Sequence, residues 1–267
     1  MLYIVATPIG NLEDISLRAL RVLGEVDFIL CEDTRVTRKL LNHYKIKTPM
    51  ISYHQHSDLK KIDYVLSLLE GGKDLALVTD AGTPGISDPG GKLIQSVIEK
   101  FGDRPHPGPL LAKEREVKIE SVPGPSAVTA ALSISGIRTD KFVFMGFPPH
   151  KKGRQTFLAK ILESEWPVVV YESKHRIIKL LEELEKMGRE ARKCSIREDD
   201  EKIPNTKYQI PKTNIKNKKI NFTSVVVCRE ISKMHETVYR GELKSIIEKI
   251  KSDPNAQKGE FVVIIGK

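Results

Sequence analysis

An α/β fold follows from three features of the chain. Short apolar runs alternate with segments whose apolar residues recur at helical spacing. The runs end in Gly, Pro or small polar residues, as strands feeding loops do. The length, 267 residues, is enough for two compact domains. Strand and helix alternating in this way predict a parallel, doubly wound sheet in the first half.

The elements follow in order. Leu2–Ala6 is a strand, and Thr7-Pro8-Ile9-Gly10-Asn11 is its turn. Ser16 is placed to cap a helix carrying Leu17, Leu20 and Leu23. Val26–Cys31 reads as a second buried strand, with Glu32-Asp33-Thr34-Arg35 and a helix through Leu40 and Leu41 behind it. Met50–Tyr53 is a short strand candidate. Ser57 is the candidate cap of a helix bearing Ile62, Val65, Leu66 and Leu69, and Gly71-Gly72 should end it. Leu75–Thr79 is the next strand, and Leu93, Val97 and Ile98 mark the following helix. Residues 101–115 read as a surface excursion near a domain boundary.

The second half opens with a strand over Val117–Val122 and a helix over Ala127–Ser135. Strands are then expected at Lys141–Met145, Pro167–Tyr171, Ser224–Cys228 and Phe261–Ile265. Helices are expected around Phe157–Leu162, Ile177–Leu184 and Leu243–Ile250. This half is α/β too, which gives domains over 1–116 and 117–267.

Composition narrows the class. Apolar content of 40% and charged content of 30% suit a soluble globular protein. No apolar run approaches the roughly 20 residues of a membrane helix, and the N-terminus lacks the basic region of a signal peptide. Cys31, Cys194 and Cys228 share no metal spacing, and an odd count argues against a disulfide framework. A reducing cytoplasm fits best. The net charge of +9 favours a polyanionic partner. Six lysines and no acid lie within residues 202–220, read as a basic loop because Pro204 and Pro211 break any helix there.

Candidate chemistry sits in loops that follow strands: Thr7–Asn11, Asp80–Gly90, Pro123–Ala127 and Gly146–Arg154. Together they suggest a cleft between two α/β halves, lined by backbone groups and few titrating side chains. Such a lining suits a cofactor with a many-acceptor outline. His150-Lys151-Lys152-Gly153-Arg154 offers phosphate contacts, or else a solvated loop. The Cys228–Glu236 stretch reads as site or as salt-bridged surface. His54 and His56 would share a strand face, but nothing completes a zinc site. The chain has no P-loop, no Gly-x-Gly-x-x-Gly loop and no Gly-x-Ser-x-Gly elbow. A phosphatase Asp nucleophile at Asp33 would want a second Asp where Arg35 stands.

Several motifs then occur in a fixed order: Thr7-Pro8-Ile9-Gly10-Asn11-Leu12, Glu32-Asp33-Thr34-Arg35, Thr79–Gly90, Val122-Pro123-Gly124-Pro125-Ser126-Ala127, Gly146-Phe147-Pro148-Pro149, Tyr171-Glu172-Ser173 with His175-Arg176, and Arg229-Glu230 with Lys233 and Glu236. In this the chain resembles, over almost its whole length, the tetrapyrrole methylase superfamily. Within it, the likeness is to ribose 2′-O-methyltransferases that act on a cytidine of small-subunit ribosomal RNA. Lys174 stands where that group usually has proline, and Ser232 where it has threonine. Residues 101–115 and about 195–220 look like insertions.

The resemblance implies two α/β domains with S-adenosylmethionine in the cleft between them, and a homodimer. It implies cofactor binding by Pro8, Asp80, Ala81, Gly82, Thr83, Pro84, Ser126, Ala127, Tyr171, Gly259 and Glu260. It puts Glu32, Arg35, Lys152, Glu230 and Lys233 in the catalytic set, and Lys151, Lys152, Arg154 and Arg229 against RNA. The implied partner is 16S ribosomal RNA or the small subunit; neither a metal nor a membrane is required. Two alternatives stay open: a methyltransferase for a tetrapyrrole or other small molecule, and a non-enzymatic RNA-binding protein.

Overall fold

The structure, a computed structural model, describes residues 1–54, 59–102, 117–196 and 224–267. The candidate cap Ser57, His56, nearly all of the 101–115 excursion and the lysine-rich 202–220 stretch lie outside the described residues. The chain divides into two compact units, Met1–Ala127 and Val128–Lys267.

The first unit is a parallel sheet of β1 (Leu2–Val5), β2 (Phe28–Cys31), β3 (Met50–Ser52), β4 (Leu75–Leu77) and β5 (Ile119–Val122), in the order β3-β2-β4-β1-β5. Strand alternation sorts the side chains to two faces. Val5, Ile29, Cys31 and Ala76 pack on one face with α1 (Leu17–Glu25) and α2 (Thr34–His43). Leu2, Ile4, Leu30, Leu75 and Leu77 pack on the other with α3 (Leu59–Glu70) and α4 (Gly90–Phe101). A sheet apolar on both faces must be covered on both, which is why the crossovers are helices.

Local signals set the helix ends. The Ser16 hydroxyl accepts from the Ala19 N–H at 3.0 Å, capping α1 as expected. Gly72 adopts φ +83° after α3. The Lys73 N–H then reaches the Leu68 carbonyl and the Gly72 N–H the Leu69 carbonyl, a Schellman closure.

The expected boundary between residues 116 and 117 is corrected by β5. This strand hydrogen-bonds β1 from Leu2↔Ile119 to Val5↔Val122 and so belongs to the first sheet, moving the division past residue 127.

The second unit holds a mixed sheet in the order β6-β7-β10-β8-β9. Its strands are β6 (Val143–Phe144), β7 (Val168–Ser173), β8 (Val225–Arg229), β9 (Thr237–Gly241) and β10 (Glu260–Ile265). Among the described residues of this unit, only the β6–β7 pair is parallel. The unit begins within α5 (Ala127–Ser135). Its core joins β7, β8 and β10 to α6 (Arg154–Glu163), α7 (Ile177–Ile196) and α8 (Leu243–Ser252) through Leu158, Val170, Leu180, Val227, Ile246 and Val263. β9 is an addition to the sequence reading, although Thr237-Val238-Tyr239 carries strand-favouring residues. It forms because the seven-residue turn after β8 folds back, with Glu230 at φ 53° and Ser232 at φ 63°.

Candidate functional site

In the first unit, loops converge at the carboxyl edge of the sheet, where open α/β sheets bind ligands. The Thr7 and Gly82 backbones bond reciprocally, at 2.9 and 3.1 Å, forming a bridge between the loops after β1 and β4. The Thr7 hydroxyl donates to the Thr79 carbonyl at 3.0 Å. The Thr83 hydroxyl donates to the Pro125 carbonyl at 3.0 Å, tying in the loop after β5. Gly82 sits at φ +90° with the Ile9 side chain against it, so this crossing needs glycine. Asp88 accepts from the Gly85 and Gly90 N–H groups at 2.8 and 2.7 Å and stitches the glycine-rich loop closed.

Asp80 and Ala81 are exposed, Thr83, Ser126 and Ala127 are half-buried, and Pro8, Gly82 and Pro84 are buried. The expected cofactor residues of this unit therefore do come together on one edge.

The carboxylates beside them are electrostatically linked. The Asp80 carboxylate accepts from the Asp33 N–H at 3.1 Å. Burial pushes the Asp80 carboxyl above its usual range, outweighing the hydrogen bond from the Asp33 N–H that pulls it down. Burial, then Asp80 and Asp88, does the same to Glu32. Asp33 goes the other way, to about 2, because the Arg35 guanidinium and backbone N–H both donate to it. Arg35 is exposed and held by Asp33.

In the second unit, Glu230, Lys233 and Glu260 form a knot. Glu230 Oε1 accepts from Lys233 Nζ and from the Glu260 N–H, both at 2.9 Å. Lys233 also donates to Glu260 Oε2 at 2.9 Å. A Cβ on Gly259 would lie 2.5 Å from Glu230 Cγ, and Gly259 is at φ +101°, so glycine is what lets Glu230 lie there. Burial raises the Glu230 carboxyl, but the Lys233 and Glu260 hydrogen bonds outweigh it and hold it below the usual range. Tyr171 packs edge-on to Phe144, with ring centroids 4.9 Å apart. Burial pushes its hydroxyl up to about 12 despite a hydrogen bond from the Val128 N–H.

Two expected RNA contacts are corrected. Arg154 is only 4% exposed. Its guanidinium donates to Glu183 at 2.8 Å and to the Pro149 carbonyl at 3.1 Å. Arg229 is 8% exposed and donates to the Lys258, His235 and Asn255 carbonyls at 2.7, 3.1 and 2.7 Å. Arg154 is spent on Glu183 and a carbonyl, and Arg229 on three carbonyls. Lys151 and Lys152 are exposed, as a phosphate contact requires.

Sequence reading missed the fasteners: Thr7 and Asp88 in the first unit, Glu172 and Arg176 in the second. Glu172 is 1% exposed and accepts from Arg176 at 2.8 Å. A lone buried Glu at a strand end leaves no periodic trace. Asp88 two residues before Gly90 is a legible turn signal.

A family model described as Tetrapyrrole (Corrin/Porphyrin) Methylases matches residues 1–247. This chain belongs to the tetrapyrrole methylase family. Three relatives carry the name Ribosomal RNA small subunit methyltransferase I. The Synechocystis protein is 37% identical, covering 99% of this chain and 78% of its own. The Hydrogenobaculum protein is 36% identical over 100% and 95%. The Thermotoga maritima protein is 34% identical over 99% and 97%. Among solved structures, cobalt precorrin-4 methyltransferase aligns with a TM-score of 0.58 at 18% identity, covering 99% of this chain and 94% of that one. Uroporphyrin-III-C-methyltransferase from Thermus thermophilus aligns at 0.56 and 16% identity, covering 100% and 94%. At such identities these two establish the tetrapyrrole methylase fold alone. No helix among the described residues is long and apolar enough to cross a membrane.

Proposed function

We propose that this protein transfers the methyl group of S-adenosylmethionine to a ribose 2′-oxygen of 16S ribosomal RNA, at a cytidine. The observation that carries the reading is the full-length match to relatives named as small-subunit ribosomal RNA methyltransferases. The bound cofactor supplies a methyl group activated by its sulfonium. The first unit's loop edge fits such a group: a glycine cradle at Gly82, exposed backbone at Ala81, and the Asp80 carboxylate for polar recognition. The resemblance adds Tyr171, Gly259 and Glu260 from the second unit.

The protein's part is to orient the acceptor and move its proton. A ribose hydroxyl is a weak acid, so a base must take its proton or a cation must stabilise the alkoxide. Of the two candidate bases, Glu32 has the raised proton affinity that general-base work favours. Glu230 is committed to Lys233 and Glu260 and acts as a positioning residue. Lys152 supplies a cation to the RNA, while Arg35 works through its pair with Asp33. A homodimer and a cytoplasmic location complete the proposal; light scattering in solution tests the first.

The decisive experiment supplies tritiated S-adenosylmethionine and small subunits from a strain lacking the protein, then maps label by nuclease digestion and mass spectrometry. Label on one cytidine ribose is expected. No label, with cofactor binding intact, would turn the assignment to small-molecule acceptors such as tetrapyrroles.

A further inference from the structure

Phe147 is a large aromatic side chain left 51% exposed in a segment that is held firmly. It follows Gly146, at φ +65°, in the loop between β6 and α6. Its ring lies 5.4 Å from the Tyr171 ring. Just beyond it, the Pro148 carbonyl accepts from Arg176 at 2.9 Å and the Pro149 carbonyl from Arg154 at 3.1 Å. Arg176 is fixed in turn by buried Glu172 at 2.8 Å, and Arg154 by Glu183 at 2.7 Å, with Glu172 3.8 Å away. Two prolines, buried Arg154 and half-buried Arg176 thus hold the loop, and little ordering entropy remains for a ligand to overcome.

The surroundings are cationic. The same loop presents Lys151 and Lys152, and the turn bearing Arg176 presents Lys174; all three are exposed. None of the three makes an ion pair among the described residues. The stretch from Gly146 to Gly153 contains no acidic residue. An exposed aromatic ring with exposed lysines on its own loop and on the turn that bonds Pro148 has the composition of a single-stranded nucleic-acid contact, in which the ring stacks a base and the lysines meet phosphates. A buried apolar role would have taken the ring into the core, and a protein partner would not call for unpaired lysines alone.

We infer that Phe147 is the stacking platform for one unpaired base of the RNA, with Lys151, Lys152 and Lys174 on its flanking phosphates. This deepens the ribosomal RNA reading and rests on it.

The test measures fluorescence anisotropy of a labelled single-stranded oligoribonucleotide, and of the same strand annealed to its complement. The proteins are wild type, Phe147→Leu, Phe147→Ala and Phe147→Trp. Single-strand affinity should fall about 5- to 100-fold for Leu and Ala, the range of one lost base stack, and persist for Trp. Duplex binding, S-adenosylmethionine affinity by calorimetry and the salt slope should not change. Phe147→Leu binding the single strand like wild type would overturn the inference. So would an equal loss on the duplex, or a loss of cofactor affinity, which would make Phe147 a prop for Tyr171. If the ribosomal RNA reading alone fails, the single strand still binds in a Phe147-dependent way but small subunits take no methyl. If this inference alone fails, small subunits are methylated and Phe147→Leu matches wild type.

Discussion

The loop edge of the first unit and the ion networks of the second solve one problem, the placement of irregular backbone, by different means. In the first, backbone bonds backbone or small hydroxyls: Thr7 with Gly82, Thr83 with Pro125. In the second, long charged side chains reach in to hold carbonyls: Arg154 to Pro149, Arg176 to Pro148, Arg229 to three acceptors. The first design is built from glycine, proline and threonine, with the Asp88 carboxylate accepting two glycine N–H groups. The second buries cations, which is tolerable only because Glu172, Glu183 or several carbonyls surround them. A basic residue in a motif is therefore not evidence of a basic surface.

The largest break in that comparison is Glu172→Ala. It removes the buried carboxylate that Arg176 bonds and leaves Arg154 with Glu183 alone, and should cost about 3–5 kcal/mol in urea unfolding. A loss under about 1 kcal/mol would mean that the arginines reach water. Next, Gly82→Ala forces a side chain into φ +90° and should cost about 1–3 kcal/mol. Gly259→Ala should cost a similar amount and also displace Glu230, so its methyl-transfer rate should fall more than that of Glu230→Gln, which keeps the shape. Equal rates would show that the Glu230 position is immaterial. Lys151→Ala and Lys152→Ala should alter stability by under about 0.5 kcal/mol, yet each should lower the salt slope of RNA binding by about 1. For Arg154→Ala the order reverses, and stability suffers first.

The smallest effect is in the pH dependence of the first unit. Glu32 has a raised carboxyl in the fold, so the folded state holds its proton longer and stability falls as pH climbs from the ordinary carboxylate value to the raised one. Glu32→Gln should remove that decline and melt higher at neutral pH. Asp33 has the opposite sign. Its contribution is present above 3.8 and is lost as pH drops toward about 2, so Asp33→Asn should flatten the acid limb of a melting-temperature profile.

Much of this was legible before any coordinates. Ser16 announced a cap, Gly71-Gly72 a helix end, and the alternating apolar residues of β1, β2 and β4 a sheet covered on both faces. These depend on neighbours a few residues away, and local spacing records them. The ordered motifs likewise carried the family. Sequence alone placed Arg154 and Arg229 on RNA, assigned β5 to the second domain and passed over β9. Which strand β5 pairs with, whether an arginine points to water or to Glu172, and whether Gly259 must stay small for Glu230 are settled by residues far apart in the chain. Burial and pairing at that range come from the packed whole, because a buried charge is tolerated only once its partner has arrived.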